Sequence, residues 1–149
     1  MTPIPRSALV LGLAGTIPFI WGVITLLDGN LHLWGSNMMG QRFVGPYVQL
    51  FYGSVILSFM SGVLWGFATK ATDKLATIGY VLSVLPALWA FFMTGNGPIT
   101  ASMNLITGFI AVLMLDWFFW KAGLAPEWWM RLRIMISVIV IACLLVAVL

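Results

Sequence analysis

Five runs, each close to the roughly 20 apolar residues that cross a hydrocarbon layer as a helix, constrain this chain more than any other feature. They cover residues 8–27, 47–68, 76–93, 101–120 and 130–149. A backbone inside hydrocarbon must satisfy its own N–H and C=O groups, which leaves helices or closed barrels. None of the runs alternates polar with apolar residues as a barrel strand with a wet lumen does. The expected fold is therefore all-α: a single domain, residues 1–149, forming an integral membrane bundle of five transmembrane helices.

Composition supports this. Of 149 residues, 62% are hydrophobic and 7% charged, against roughly 25% charged in a soluble domain. One cysteine, Cys143, excludes an intrachain disulfide and any four-cysteine metal site. The net charge of +3 comes from basic residues scattered through loops rather than from a stripe, so no nucleic-acid partner is expected.

The basic residues instead report topology, because cytoplasmic loops retain Lys and Arg. Arg6, Lys70, Lys74, Lys121, Arg131 and Arg133 share one side of a five-span chain, and Arg42 lies alone on the other. The expected orientation is N-terminus inside and C-terminus outside. Trp65, Trp117, Trp120, Trp128 and Trp129 collect at the same surface as the basic residues, where an indole buries its ring and wets its N–H. The first run contains Pro18 and lacks a small-residue cleavage site before Asp28, so it reads as a span rather than a signal peptide. The fifth helix starts at Pro126-Glu127-Trp128-Trp129, where proline suits a first turn and glutamate suits the positive helix end. Beyond Ile134 it is almost purely aliphatic and is expected at the lipid-facing edge. Residues 28–46 read as a long glycine-rich connection.

Within the spans, the clearest pattern is Ser54, Ser58, Gly62 and Gly66, spaced four apart, with Ser61 beside them. Lipid offers no hydrophobic drive for helix association, so a small-residue ridge of this kind is expected to be a helix-packing groove. Ala8, Gly12 and Thr16 form a similar ridge, pairing the first span with the second. Pro18 and Pro86 predict kinks. Asp116 is the one acidic residue inside an apolar run, close to Lys121, Arg131 and Arg133. These four residues predict a charge cluster at the inner surface, in which a carboxylate–arginine pair fastens the fourth helix to the fifth.

Thr100, Asn104 and Thr107 add polarity to the outer half of the fourth span, as interhelical hydrogen-bond formers. His32 is the lone histidine and reads as a solvated loop residue. It leaves no bis-histidine haem, no second or third zinc ligand and no recognisable catalytic triad. No catalytic, cofactor-binding or metal residue is assigned, and no enzymatic activity or cofactor is expected.

Tyr52-Gly53, then Ile56-Leu57-Ser58-Phe59, Gly62 and Trp65-Gly66, resemble the pattern of the membrane family called domain of unknown function 3429. Gly12-Leu13, Ile17-Pro18-Phe19, Ser83 with Pro86, Asp116, and Pro126, Trp128, Leu132 and Arg133 are similar to that family's pattern in the same order. The resemblance covers nearly the whole chain and departs at Ser61 and Leu64, where glycine and a basic residue or histidine are expected. It implies a small multispan protein of bacterial inner membranes or of the mitochondrial inner membrane, and it implies no reaction. The functional expectation is an accessory or assembly subunit of a larger respiratory or photosynthetic membrane complex. Its partners would be membrane lipid and either a membrane protein or further copies of itself. The alternative is an oligomeric small-solute or proton-coupled carrier using the proline kinks with Ser58, Asn104 and Asp116.

Overall fold

The computed structural model describes residues 2–149, and among them every regular element is helical. The first span is two helices, α1 (Arg6–Ala14) and α2 (Ile17–Leu27). A short surface helix α3 (Gly29–Met39) and a 3₁₀ turn (Gln41–Phe43) follow. The remaining spans are α4 (Tyr47–Ala68), α5 (Asp73–Met93), α6 (Pro98–Lys121) and α7 (Trp129–Val148). The α1–α2 unit and α4 to α7 are each long and apolar enough to cross a membrane.

The central helices are α4 and α6. Helix α4 packs against α5, α6 and α2, and α6 against α7, α4 and α5, while α7 closes the bundle against α2 and α1. The fifth span is therefore not simply a lipid-facing edge: Leu132, Arg133, Ser137, Val140 and Leu144 are buried, and Ile134, Val138 and Leu145 form its exposed stripe. Its uniform aliphatic sequence hid this, because buried and lipid-facing positions are both apolar in a membrane.

Proline shapes two spans differently. Pro18 stands in the first turn of α2, so the first span breaks rather than bends; the Thr16 backbone N–H and hydroxyl both donate to the Leu13 carbonyl across the break, at 3.0 and 2.6 Å. Pro86 lies inside α5, and the N–H of Ala87 beside it donates to Ser61 Oγ on α4 at 2.8 Å. Residues 28–46, expected as loop, contain α3, because Asp28 Oδ1 accepts from the N–H groups of Asn30 (2.9 Å) and Leu31 (3.2 Å) as an N-cap. This helix folds back on α2, with Trp34 edge-on to Trp21 and the Trp21 indole donating to the Phe43 carbonyl at 2.7 Å.

The expected groove of Ser54, Ser58, Gly62 and Gly66 is corrected as an intrachain contact. Ser58, Gly62 and Gly66 are exposed, Ser54 is half-buried, and a Cβ added at Gly62 or Gly66 would meet no atom of another helix within 4 Å. The buried stripe of α4 is Gly53, Leu57, Ser61, Leu64 and Ala68. Side chains of that stripe, Leu57 and Ala68, mesh with glycines of α6 and α5. A Cβ at Gly108 would sit 2.9 Å from Leu57 and Trp89 atoms, and one at Gly79 would sit 2.9 Å from the Ala68 Cβ. The first-span ridge also meets a different partner, since a Cβ at Gly12 would lie 2.8 Å from Ile136 of α7.

Gly108→Leu should lower stability in mild detergent by about 1–3 kcal/mol through overpacking, whereas Gly62→Leu should stay within about 0.5 kcal/mol of wild type. Thermal unfolding of the two variants side by side checks this, and equal losses would contradict it. Ser61→Ala should lose about 1–3 kcal/mol by orphaning the Ala87 N–H. Ser58→Ala should be nearly silent, because the Ser58 hydroxyl donates to the Ser54 carbonyl of its own helix on an exposed face.

Candidate functional site

Asp116 lies on the inward face of α6, five residues before that helix ends at Lys121. Arg133 lies one turn inside the start of α7, and the two helices run antiparallel after the short connection through Pro126. That geometry brings Arg133 Nε to 2.8 Å from Asp116 Oδ2, with side-chain exposures of 6% and 0%. The other carboxylate oxygen, Oδ1, accepts from the Trp129 indole N–H at 3.0 Å. Trp129 is fixed in turn by Phe67 of α4, whose ring meets it edge-on with centroids 5.1 Å apart. Both carboxylate oxygens are thus engaged, by two side chains of α7 spaced one turn apart.

Arg133 is less completely satisfied. It meets the carboxylate through Nε alone, and its buried Nη2 has no partner among the protein's groups. Ser137, one turn further along α7, also holds a buried hydroxyl without a partner. A buried charge pair is weak evidence for net stability, yet removing one partner leaves an uncompensated charge and is severe. The arrangement ties α6 to α7 through one ion pair and one indole hydrogen bond.

The other two members of the expected cluster stand apart from the pair. Lys121 is exposed, with its ammonium over the rings of Trp117 and Trp120 at 5.7 and 5.8 Å. Arg131 is exposed and donates to the Thr2 carbonyl, while Glu127 accepts from the Thr2 N–H and hydroxyl at 3.4 Å. The four-residue cluster is therefore corrected to a buried pair, Asp116 and Arg133, beneath a separate surface layer of cations held by aromatic faces and backbone.

A second polar tie lies near the opposite end of the bundle and escaped the sequence reading. Gln49 of α4 is fully buried, and its Nε2 donates to the carbonyls of Phe19 on α2 (3.0 Å) and Cys143 on α7 (3.2 Å). Its presence near the start of an apolar run was the available signal, because an amide in hydrocarbon must find a partner. Thr25 plays a similar part, accepting from the Gly45 N–H at 2.8 Å. Asn104 donates to the Met93 carbonyl at 2.8 Å and accepts the Trp89 indole on its own carbonyl at 2.7 Å, joining α5 to α6. Thr107 bonds back to its own helix, and His32 sits half-buried on α3. Among the described residues, no three His, Cys, Asp or Glu side chains come together as a metal site.

The model of the family described as "Protein of unknown function (DUF3429)" matches residues 4–149. The chain belongs to this family. It is 30% identical over 142 residues to Transmembrane protein 69 of Xenopus tropicalis, an alignment covering 92% of this chain and 51% of the relative. The chain thus spans about half the length of that curated relative. No solved structure matches. This DUF3429 protein is a multispan membrane protein, and within it the buried pair of Asp116 and Arg133 joins two of the five candidate spans.

Arg133→Met should destabilise the bundle by about 3–5 kcal/mol by leaving the Asp116 carboxylate alone in the interior. Asp116→Leu should cost a similar amount, and the double variant should lose clearly less than the sum of the two. Unfolding midpoints in mild detergent provide the cycle, and additive losses would show that the two side chains act independently.

Proposed function

We propose that this protein is a non-enzymatic accessory or assembly subunit of a larger membrane complex, of the respiratory or photosynthetic kind, in a bacterial or mitochondrial inner membrane. The observation that carries this reading is the outward face of α4. Ser58, Gly62 and Gly66 expose a narrow strip, and a Cβ at either glycine would meet no other helix within 4 Å. The Ser58 hydroxyl turns back to the Ser54 carbonyl of its own helix, while Ser54 also meets the Thr94 hydroxyl at the end of α5, so the strip from Ser58 to Gly66 offers a smooth surface on which another helix can approach closely. Elsewhere in the bundle the same kind of small residue is filled by a neighbour, as Gly108 is by Leu57 and Trp89.

The engagement of both Asp116 oxygens and their complete burial favour a structural role for that carboxylate over proton or solute coupling in a carrier. The basic surface holding Lys70, Lys74, Lys121 and Arg131 supports an orientation with that end toward the cytoplasm or its mitochondrial equivalent.

Native membranes should yield this chain in a band well above its own 16.4 kDa on blue-native electrophoresis. Gly62→Leu should shift it to monomer size while leaving its unfolding midpoint unchanged. Wild-type migration at monomer size, in gentle extracts from native membranes, would overturn the accessory reading.

A further inference from the structure

A groove of about 310 Å³ opens beside the break in the first span, lined among others by Pro18, Arg42, Phe51, Tyr52 and Val55. Phe51 and Val55 are 47% and 60% exposed on its outer side, so it faces the lipid. Arg42 stands at the membrane-boundary end of this groove, on the 3₁₀ turn just before α4, with its guanidinium 4.4 Å from the centre of the Phe51 ring. From Tyr47 to Val55 the helix descends about 12 Å at 1.5 Å per residue, most of the way to the middle of a hydrocarbon core about 30 Å thick.

No carboxylate among the described residues pairs with Arg42, whose guanidinium rests over the Phe51 ring. The pair of Asp116 and Arg133 is the one ion pair among the described residues, and the carboxylate nearest in sequence, Asp28, caps α3. A guanidinium at the polar boundary, leading into an apolar groove that runs toward the bilayer centre, is complementary to an amphiphile with an anionic head and a hydrocarbon chain. Arginine suits that head because its planar fork donates to two phosphate oxygens at once. A second copy of the chain fits less well, since a two-fold axis through this face would set one Arg42 against another.

We propose that this groove is a binding site for an anionic phospholipid, with the phosphate held by Arg42 and one acyl chain lying along Pro18, Phe51, Tyr52 and Val55. The groove occupies the outer end of the same exposed face of α4 that carries Ser58, Gly62 and Gly66 further along the helix, and the headgroup contact at Arg42 does not depend on the accessory-subunit reading.

Native mass spectrometry of the full chain, released from detergent after titration with phosphatidylglycerol or phosphatidylcholine, tests it. Wild type should retain phosphatidylglycerol in preference to phosphatidylcholine. Arg42→Gln should weaken that preference roughly fivefold, the effect of one interfacial cation, and Arg42→Lys should restore part of it. Val55→Trp, which fills the groove without changing charge, should reduce retention of both lipids. Lys74→Gln, a cation change at the opposite end of the bundle, should leave the preference intact. Undiminished phosphatidylglycerol preference in Arg42→Gln would overturn the headgroup assignment. Undiminished lipid retention in Val55→Trp would overturn the acyl groove, and so would displacement of the lipid by an equal concentration of glycerol phosphate.

Discussion

Helices surrounded by hydrocarbon gain little by hiding apolar side chains from one another, because the lipid tails they displace are just as apolar. Everything in this bundle follows from that constraint. What holds the spans is close approach, where Gly12, Gly53, Gly79 and Gly108 let side chains of neighbouring helices come against the backbone. Dispersion grows with the number of atoms in contact, so each glycine converts a gap of one side chain into many contacts. The pattern is directional as well, since the same residue type on the outer face of α4 meets nothing within its own bundle.

Polar side chains add specificity to this packing. Gln49 ties α4 to α2 and α7, Ser61 receives the N–H that the Pro86 region of α5 presents, and Asp116 engages Arg133 and Trp129 across the α6–α7 seam. Each lies on the face where helices meet. In lipid, a slipped register would leave such a group without a partner, and the penalty for an unsatisfied polar group selects one alignment among several that bury similar apolar surface.

The five spans were legible because their length and apolar continuity are dictated by the bilayer, and the observed ends lie within a few residues of the expected ones. The proximity of Asp116 to arginine was legible too, since a carboxylate in an apolar run has few affordable environments. The choice of Arg133 over Arg131 or Lys121 was not, because it depends on the rotation of α7 about its axis. The ridge of Ser54, Ser58, Gly62 and Gly66 failed as an intrachain groove for the same reason: spacing identifies a face, and only the neighbours decide which way the face points. Helix α3 was missed because glycines at both ends of residues 29–40 obscured the cap that Asp28 supplies. Trp129 was assigned to the interfacial belt on composition, whereas its indole turns inward to a carboxylate.

The closing of the bundle by α7 sets an order on its biogenesis. Helix α6, with Asp116, leaves the ribosome before α7, which carries Arg133 and Trp129. During synthesis the carboxylate is therefore without both of its partners, in a segment otherwise fit for lipid, and the first span lacks the surface of α7 on which Gly12 rests. Synthesis of α7 resolves both defects in one step. A chain arrested before that point exposes inside the membrane a polar group that α7 otherwise conceals.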